Sequence, residues 1–346
     1  MKGKVVTAFL SLCWLPAAPA ASSAATPHVI VVGIDGLSVE GVIKAATPRL
    51  HHLMESAAWT LEARGVMPTL SSPNWASAIN GAGPEQHGIT SNGYLHKMVA
   101  LRPVCAGPDG VFPTIFGVLR AERPSSRIAV FHDWPGFADL LEKKAPNVLR
   151  HEHGAARTTE AAIAYWKENR PELMFIHLDN VDHTGHESGW QSQEYLRAVE
   201  EADGYLGKVM DMLAETGALD STYVLVTSDH GGKGHNHGKN SLIEITIPWI
   251  LSGPEIVPGR IAAAIYTYDT AATIAWIFQL DTPECWIGRP ATMAFRPAAL
   301  LARGNSRETP PGGCAVSAGA PASESTAEEH LHGTPGNGKT GNEPKN

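Results

Sequence analysis

An α/β architecture, a mainly parallel central sheet flanked by helices on both faces, is the fold class that this sequence predicts, on three observations. Apolar runs of strand length alternate with longer segments of helical period from about His28 to Ala302. The strongest runs are almost continuously apolar, as strands buried on both faces require. Each of them stops beside an acidic or imidazole side chain, and in such sheets ligands sit outside the carboxyl ends of the strands.

The chain has 346 residues, 43% hydrophobic and 18% charged, so a large core is available. The net charge of -8 argues against a nucleic-acid-binding surface. Lys2 and Lys4 precede an apolar run from Val5 to Leu15 and an Ala18-Pro19-Ala20 cleavage pattern. Residues 1–20 therefore read as a secretory signal peptide, too short in its apolar part to span a bilayer. The expected location is periplasmic or secreted, with no stable membrane insertion. An oxidising compartment permits a disulfide among Cys105, Cys285 and Cys314, and sequence does not choose the pair.

His28 to Ile34 is the first strand candidate and ends at Asp35. Thr47 to Trp59 reads as a helix. Ser71-Ser72-Pro73-Asn74-Trp75 opens a second helix that stops at Gly81, with Pro73 suited to its first turn. Arg127 to His132 is a strand, Thr158 to Glu168 a helix, and Leu173 to Leu178 a strand followed by Asp182 and His186. The long helix Gln191 to Glu215 leads to the strand Tyr223 to Thr227. Ser228-Asp229-His230-Gly231-Gly232 closes that strand, with His235 and His237 just beyond. Ile243 to Leu251 is a strand whose Pro248 belongs at an edge or a bulge. Thr270 to Leu280 is a final apolar helix. Residues 27–302 make one catalytic domain, and 303–346, rich in Gly, Pro, Ser, Ala and Glu, read as a disordered tail.

Carboxylates and imidazoles at three strand ends are the ligands that suit zinc and similar divalent ions. Asp182 and His186 have the i,i+4 spacing of a helical chelate, which ordinary helix faces also show. Ser71 would sit at a helix N-terminus, where backbone N–H groups and the helix dipole favour an anion such as a phosphoryl group. Alone, Ser71 or Ser72 fits a helix cap better than a nucleophile. Beside metal-ligating clusters, Ser71 becomes a nucleophile whose hydroxyl a metal would activate. His235 and His237 both offer an imidazole as the last ligand. His87 is expected to hold the loop beside this helix, and His151 and His153 to lie in a solvated loop.

These motifs resemble the alkaline phosphatase superfamily, and within it the type I phosphodiesterase/nucleotide pyrophosphatase family. The resemblance runs from about Val29 to Phe295. It is carried by Gly33-Ile34-Asp35-Gly36, Pro68 to Asn74, Gly83 to Ile89, Asn92, Val181 to His186, Ser228 to Gly231, His237-Gly238 and Tyr268 to Ala275. It implies an alkaline-phosphatase-like fold and two metal ions, zinc by expectation. Asp35, Asp229 and His230 would hold one ion, which touches Ser71; Asp182, His186 and His237 would hold the other. Asn92 would donate to a phosphoryl oxygen. The implied function is exported hydrolysis of a small phosphate ester through a phosphoserine, as a phosphodiesterase or nucleotide pyrophosphatase. A phosphomonoesterase on the same scaffold and a non-enzymatic metal-binding protein are the rivals. Ser71 stands where that family commonly carries threonine, which puts the substrate class in question. Leu70 replaces a frequent lysine. Trp75 replaces the arginine that closes a sulfatase maturation motif.

Overall fold

Successive residues of the first strand, β1 (His28–Ile34), enter two different cores. Val29 and Val31 pack on one face with Trp75, Phe116, Phe137, Phe175 and Trp249. Ile30, Val32 and Ile34 pack on the other with Leu50, Leu53, Trp166, Tyr195 and Leu206. A strand that buries both faces has no polar alternation to offer, which is why its sequence is a nearly unbroken apolar run. The structure, a computed structural model, describes residues 26–93, 101–107 and 109–303. The expected leader and nearly all of the expected tail lie outside the described residues.

Seven further strands complete one sheet: β2 (Ala58–Arg64), β3 (Ile128–His132), β4 (Val148–His151), β5 (Leu173–Leu178), β6 (Thr222–Thr227), β7 (Thr246–Ser252) and β8 (Gly259–Arg260). Their order is β4-β3-β5-β1-β6-β7-β2-β8. The five from β4 to β6 run parallel, and β7 is antiparallel to both of its neighbours. The helices Pro48–Ser56, Ala155–Asn169 and Gln193–Glu215 supply one core, and Ser71–Asn80, Ile115–Glu122 and Asp269–Phe278 supply the other. β1 lies between β5 and β6, so the C-terminal ends of all three strands open side by side.

Three expectations change. The helix predicted to reach Trp59 ends at Ser56, and residues from Ala58 form β2, because Trp59 and its neighbours pair with β7 and β8. The strand predicted from Ile243 begins at Thr246, after a helical turn Leu242–Ile245. Its Pro248 is interior, opposite the register irregularity between Thr60 and Ala63 of β2, so the bulge absorbs the missing N–H. His151 ends strand β4 and is half-buried, where a solvated loop was expected. Cys105 and Cys285 form a disulfide, the pairing that sequence left open.

Candidate metal centre and nucleophile

β1 leads directly to Asp35, which is fully buried, and β6 leads through Ser228 to Asp229 and His230, also fully buried. His230 Nε2 lies 3.1 Å from Asp229 Oδ2 and 3.6 Å from Asp35 Oδ1. Ser71 Oγ is 3.3 Å from the same nitrogen. Ser71 is the first residue of the helix Ser71–Asn80, whose N-cap, Leu70, makes no side-chain cap. The hydroxyl therefore stands at a helix N-terminus facing two carboxylates and an imidazole.

A second group forms on the helix Asn180–Ser188, which follows β5. Its i,i+4 spacing brings His186 Nε2 to 3.3 Å from Asp182 Oδ2. His237 Nε2 reaches 3.1 Å from His186 Nε2 and 3.6 Å from Asp182 Oδ1. Gly36 allows Asp182 this close, since a Cβ there would fall 2.7 Å from Asp182 Cα, and its φ of +68° suits glycine. The rings of His230 and His237 stack with centroids 3.7 Å apart, so the two groups share a wall.

The hydrogen bonds around each imidazole fix which nitrogen faces inward. His230 Nδ1 donates to the Gly231 carbonyl at 3.0 Å, His186 Nδ1 to that of His235 at 2.9 Å, and His237 Nδ1 to that of Thr69 at 2.7 Å. Each Nε2 then faces the centre, the arrangement in which backbone carbonyls orient metal-ligating histidines. Asp35 Oδ1, Asp182 Oδ1 and Asp229 Oδ2 are buried and have no hydrogen-bond partner among the described residues. Bare carboxylate oxygens and nitrogen lone pairs converging at these distances repel one another unless cations or shared protons lie between them. The donor set thus fits two divalent cations with mixed oxygen and nitrogen ligation.

Charge follows the same geometry. Burial works against a charged His230, but the facing Asp229 and Asp35 prevail and raise it to about 10. The Asp182 hydrogen bond raises His186 to about 9. Burial and the neighbouring His230 lower His237. Burial would raise Asp35, yet the His177 hydrogen bond and the His230 charge bring it to about 2. Burial and Asp35 push Asp229 up to about 6.

Asn92, exposed, accepts from the Ser72 backbone N–H through Oδ1 at 2.9 Å, which leaves its Nδ2 as a donor beside Ser71. His235 contributes its backbone carbonyl to His186, and its Nδ1 lies 3.1 Å from the His186 carbonyl. His87 is buried between Ser77 Oγ, 3.0 Å from its Nε2, and the Ile89 N–H, 3.0 Å from its Nδ1. Burial lowers it to about 3, so it works as a neutral brace for the helix Ser71–Asn80.

Four contributors escaped the sequence reading. Asn74 accepts from the Val66 N–H at 2.6 Å and donates to the carbonyls of Val66, Pro68 and Leu70, tying down the loop before Ser71. His177 and Trp75 both bond Asp35. Asp179 brings a carboxylate oxygen within 4.8 Å of those of Asp35 and Asp182, and burial, with Asp35, raises it to about 8. A histidine inside an otherwise apolar strand, as at His177, was the one available signal.

The sequence profile of the type I phosphodiesterase/nucleotide pyrophosphatase family matches residues 29–102 and 123–246. Human ectonucleotide pyrophosphatase/phosphodiesterase family member 1 is 27% identical over 224 residues, covering 60% of this chain and 24% of that protein. The chain spans between about a quarter and a half of the length of the curated relatives it matches. Murine ectonucleotide pyrophosphatase/phosphodiesterase 5, solved in complex with AMP, superposes with a TM-score of 0.64 at 16% identity, over 78% of this chain and 98% of that one. The alkaline phosphatase PafA superposes with a TM-score of 0.66 at 11% identity, over 78% and 99% of the two chains. The fold is alkaline-phosphatase-like.

Proposed function

Since the chain belongs to the type I phosphodiesterase/nucleotide pyrophosphatase family, we propose that it is an exported two-metal hydrolase of small phosphate esters, working as a phosphodiesterase or nucleotide pyrophosphatase through a phosphoserine at Ser71. The observation that carries this reading is the convergence of two Asp/His groups on a hydroxyl at a helix N-terminus. Asp35, Asp229 and His230 would hold one divalent ion beside Ser71, and Asp182, His186 and His237 the other. Zinc suits this mixed oxygen and nitrogen set. A bound pair would supply Lewis acidity to the attacking and leaving oxygens.

The chain's own residues do the rest. The N-terminus of the helix Ser71–Asn80 offers positive potential to the phosphoryl group. Asn92 Nδ2 donates to a non-bridging oxygen while its Oδ1 stays anchored on Ser72. Ser71 Oγ attacks phosphorus as its proton passes through solvent to the leaving oxygen. The bond from phosphorus to the ester oxygen breaks, and the alcohol or nucleotide departs with a proton. Water then attacks the phosphoserine, restoring Ser71 and releasing the phosphate product. Export agrees with the Cys105–Cys285 disulfide. No described helix is long and apolar enough to cross a membrane.

Ser71 favours one alternative, a phosphomonoesterase, because serine typifies that branch of the superfamily. The test compares hydrolysis of bis(nitrophenyl) phosphate and nitrophenyl phosphate by the zinc-loaded protein. Faster turnover of the diester supports the proposal, and a clear preference for the monoester replaces it. Absence of turnover on both, with zinc bound, would make the chain a metal-binding protein.

A further inference from the structure

Asp35 is gripped from behind. Its Oδ2 accepts from Trp75 Nε1 at 2.8 Å and from His177 Nε2 at 3.1 Å, and all three residues are fully buried. Its Oδ1 has no hydrogen-bond partner among the described residues and faces His230 Nε2. We propose that Trp75 and His177 are positioning residues that occupy Asp35 Oδ2 and so present Oδ1 alone to the ion beside Ser71. This rests on the two-metal reading and adds to it the device that sets the orientation of one ligand.

The surrounding structure is shaped around this grip. Gly33 of β1 pairs in register with His177 of β5. A Cβ at Gly33 would lie 2.6 Å from Trp75 Cη2 and 2.8 Å from Cζ3, so a larger residue would block the indole from crossing β1 to Asp35. Trp75 is wedged edge-on against Phe175, Phe137 and His177, with ring centroids 5.9, 6.1 and 5.0 Å away. His177 also packs on Phe137 at 5.0 Å. Neither donor can swing aside without displacing this cluster.

His177 is also a poor residue for packing alone. Its Nδ1 is buried and has no partner among the described residues, a cost that an apolar side chain would avoid. Among the described residues, its one side-chain hydrogen bond is to Asp35. With Nε2 donating, Nδ1 carries no proton if the ring is neutral. A carboxylate held by two donors on one oxygen cannot rotate to offer both oxygens or turn away. Donors behind a ligand of this kind typically change metal affinity by about 10–100-fold when removed.

The experiment titrates zinc, against a competing chelator, into the full-length metal-free protein and its variants. Metal-free thermal unfolding is recorded for each as a check of folding. In His177→Leu, one of two binding steps should weaken by about 10–100-fold. The other, assigned to Asp182, His186 and His237, should stay within about threefold, since none of its ligands is bonded to His177. His177→Gln, whose amide N–H can reach Asp35, should recover most of the loss. A role in packing alone predicts a lower melting temperature with both steps unchanged or shifted together, and no advantage of Gln over Leu. Either result overturns the proposal. If His177→Leu does not fold, Trp75→Phe carries the same test, because it deletes the indole donor and keeps an aromatic ring; two unchanged steps there refute the grip. An unmutated protein that binds no zinc would refute the two-metal reading itself, a distinct result.

Discussion

Raising the pH should tighten metal binding steeply, and the geometry gives the slope. Without metal, His230 and His186 are raised to about 10 and about 9 by the carboxylates they face, so both are protonated at pH 7. His237 is lowered and Asp35 lies at about 2, so neither brings a proton to displace at that pH. Ligation requires the bare Nε2 of each imidazole. Filling both sites at pH 7 should therefore release about two protons per chain, one from each group. The sign follows: protons compete with metal below the raised values, so apparent affinity rises about tenfold per pH unit at each site and levels off near pH 9 to 10. Below about pH 6, Asp229 also takes up a proton and the slope steepens. Calorimetric zinc titrations in buffers of different ionisation enthalpy measure the release directly. A release near zero at pH 7, or an affinity flat between pH 6 and 8, would refute the assignment of His186 and His230 as ligands.

Three further outcomes are expected. Ser71→Ala should reduce phosphate-ester turnover by roughly 10³-fold or more while elemental analysis still finds two ions, because neither imidazole–carboxylate group depends on the hydroxyl. Asn74→Ala strands the buried Val66 N–H and frees the loop before Ser71, so it should cost about 1–3 kcal/mol in thermal unfolding and lower kcat more than metal content. Cys285→Ser opens a cross-link spanning 180 residues, which chain entropy values at about 5 kcal/mol, so the melting temperature should fall by roughly 10 °C. Reducing agent should lower the unmutated protein by a similar amount.

Much of the site is legible in the sequence because its chemistry sits at strand ends. Continuous apolar runs reveal β1, β5 and β6, and Asp35, Asp182, His186, Asp229 and His230 follow them within a few residues. The helix opened by Ser71 shows itself through Pro73 and Gly81. β2 is harder to see, because its pairing with β7, not its own pattern, keeps Trp59 out of the preceding helix. His237 and His235 are neighbours with the same chemistry, and the bond from His237 Nδ1 to the Thr69 carbonyl and the stack on His230, both tertiary contacts, hold the His237 ring at the centre.

By itself, the sequence determined the residue types beyond each strand and the layered architecture, since local periodicity and burial are short-range properties of the chain. The tertiary structure alone decided which of those residues meet. Placing β1 between β5 and β6 brings Asp35 to His177 across a gap of 142 residues and Gly36 to Asp229 across one of 193. The Cys105–Cys285 pairing and the grip of Trp75 and His177 on Asp35 arise in the same way. Such contacts depend on strand order and side-chain packing across the whole domain, and no local window of sequence contains that information.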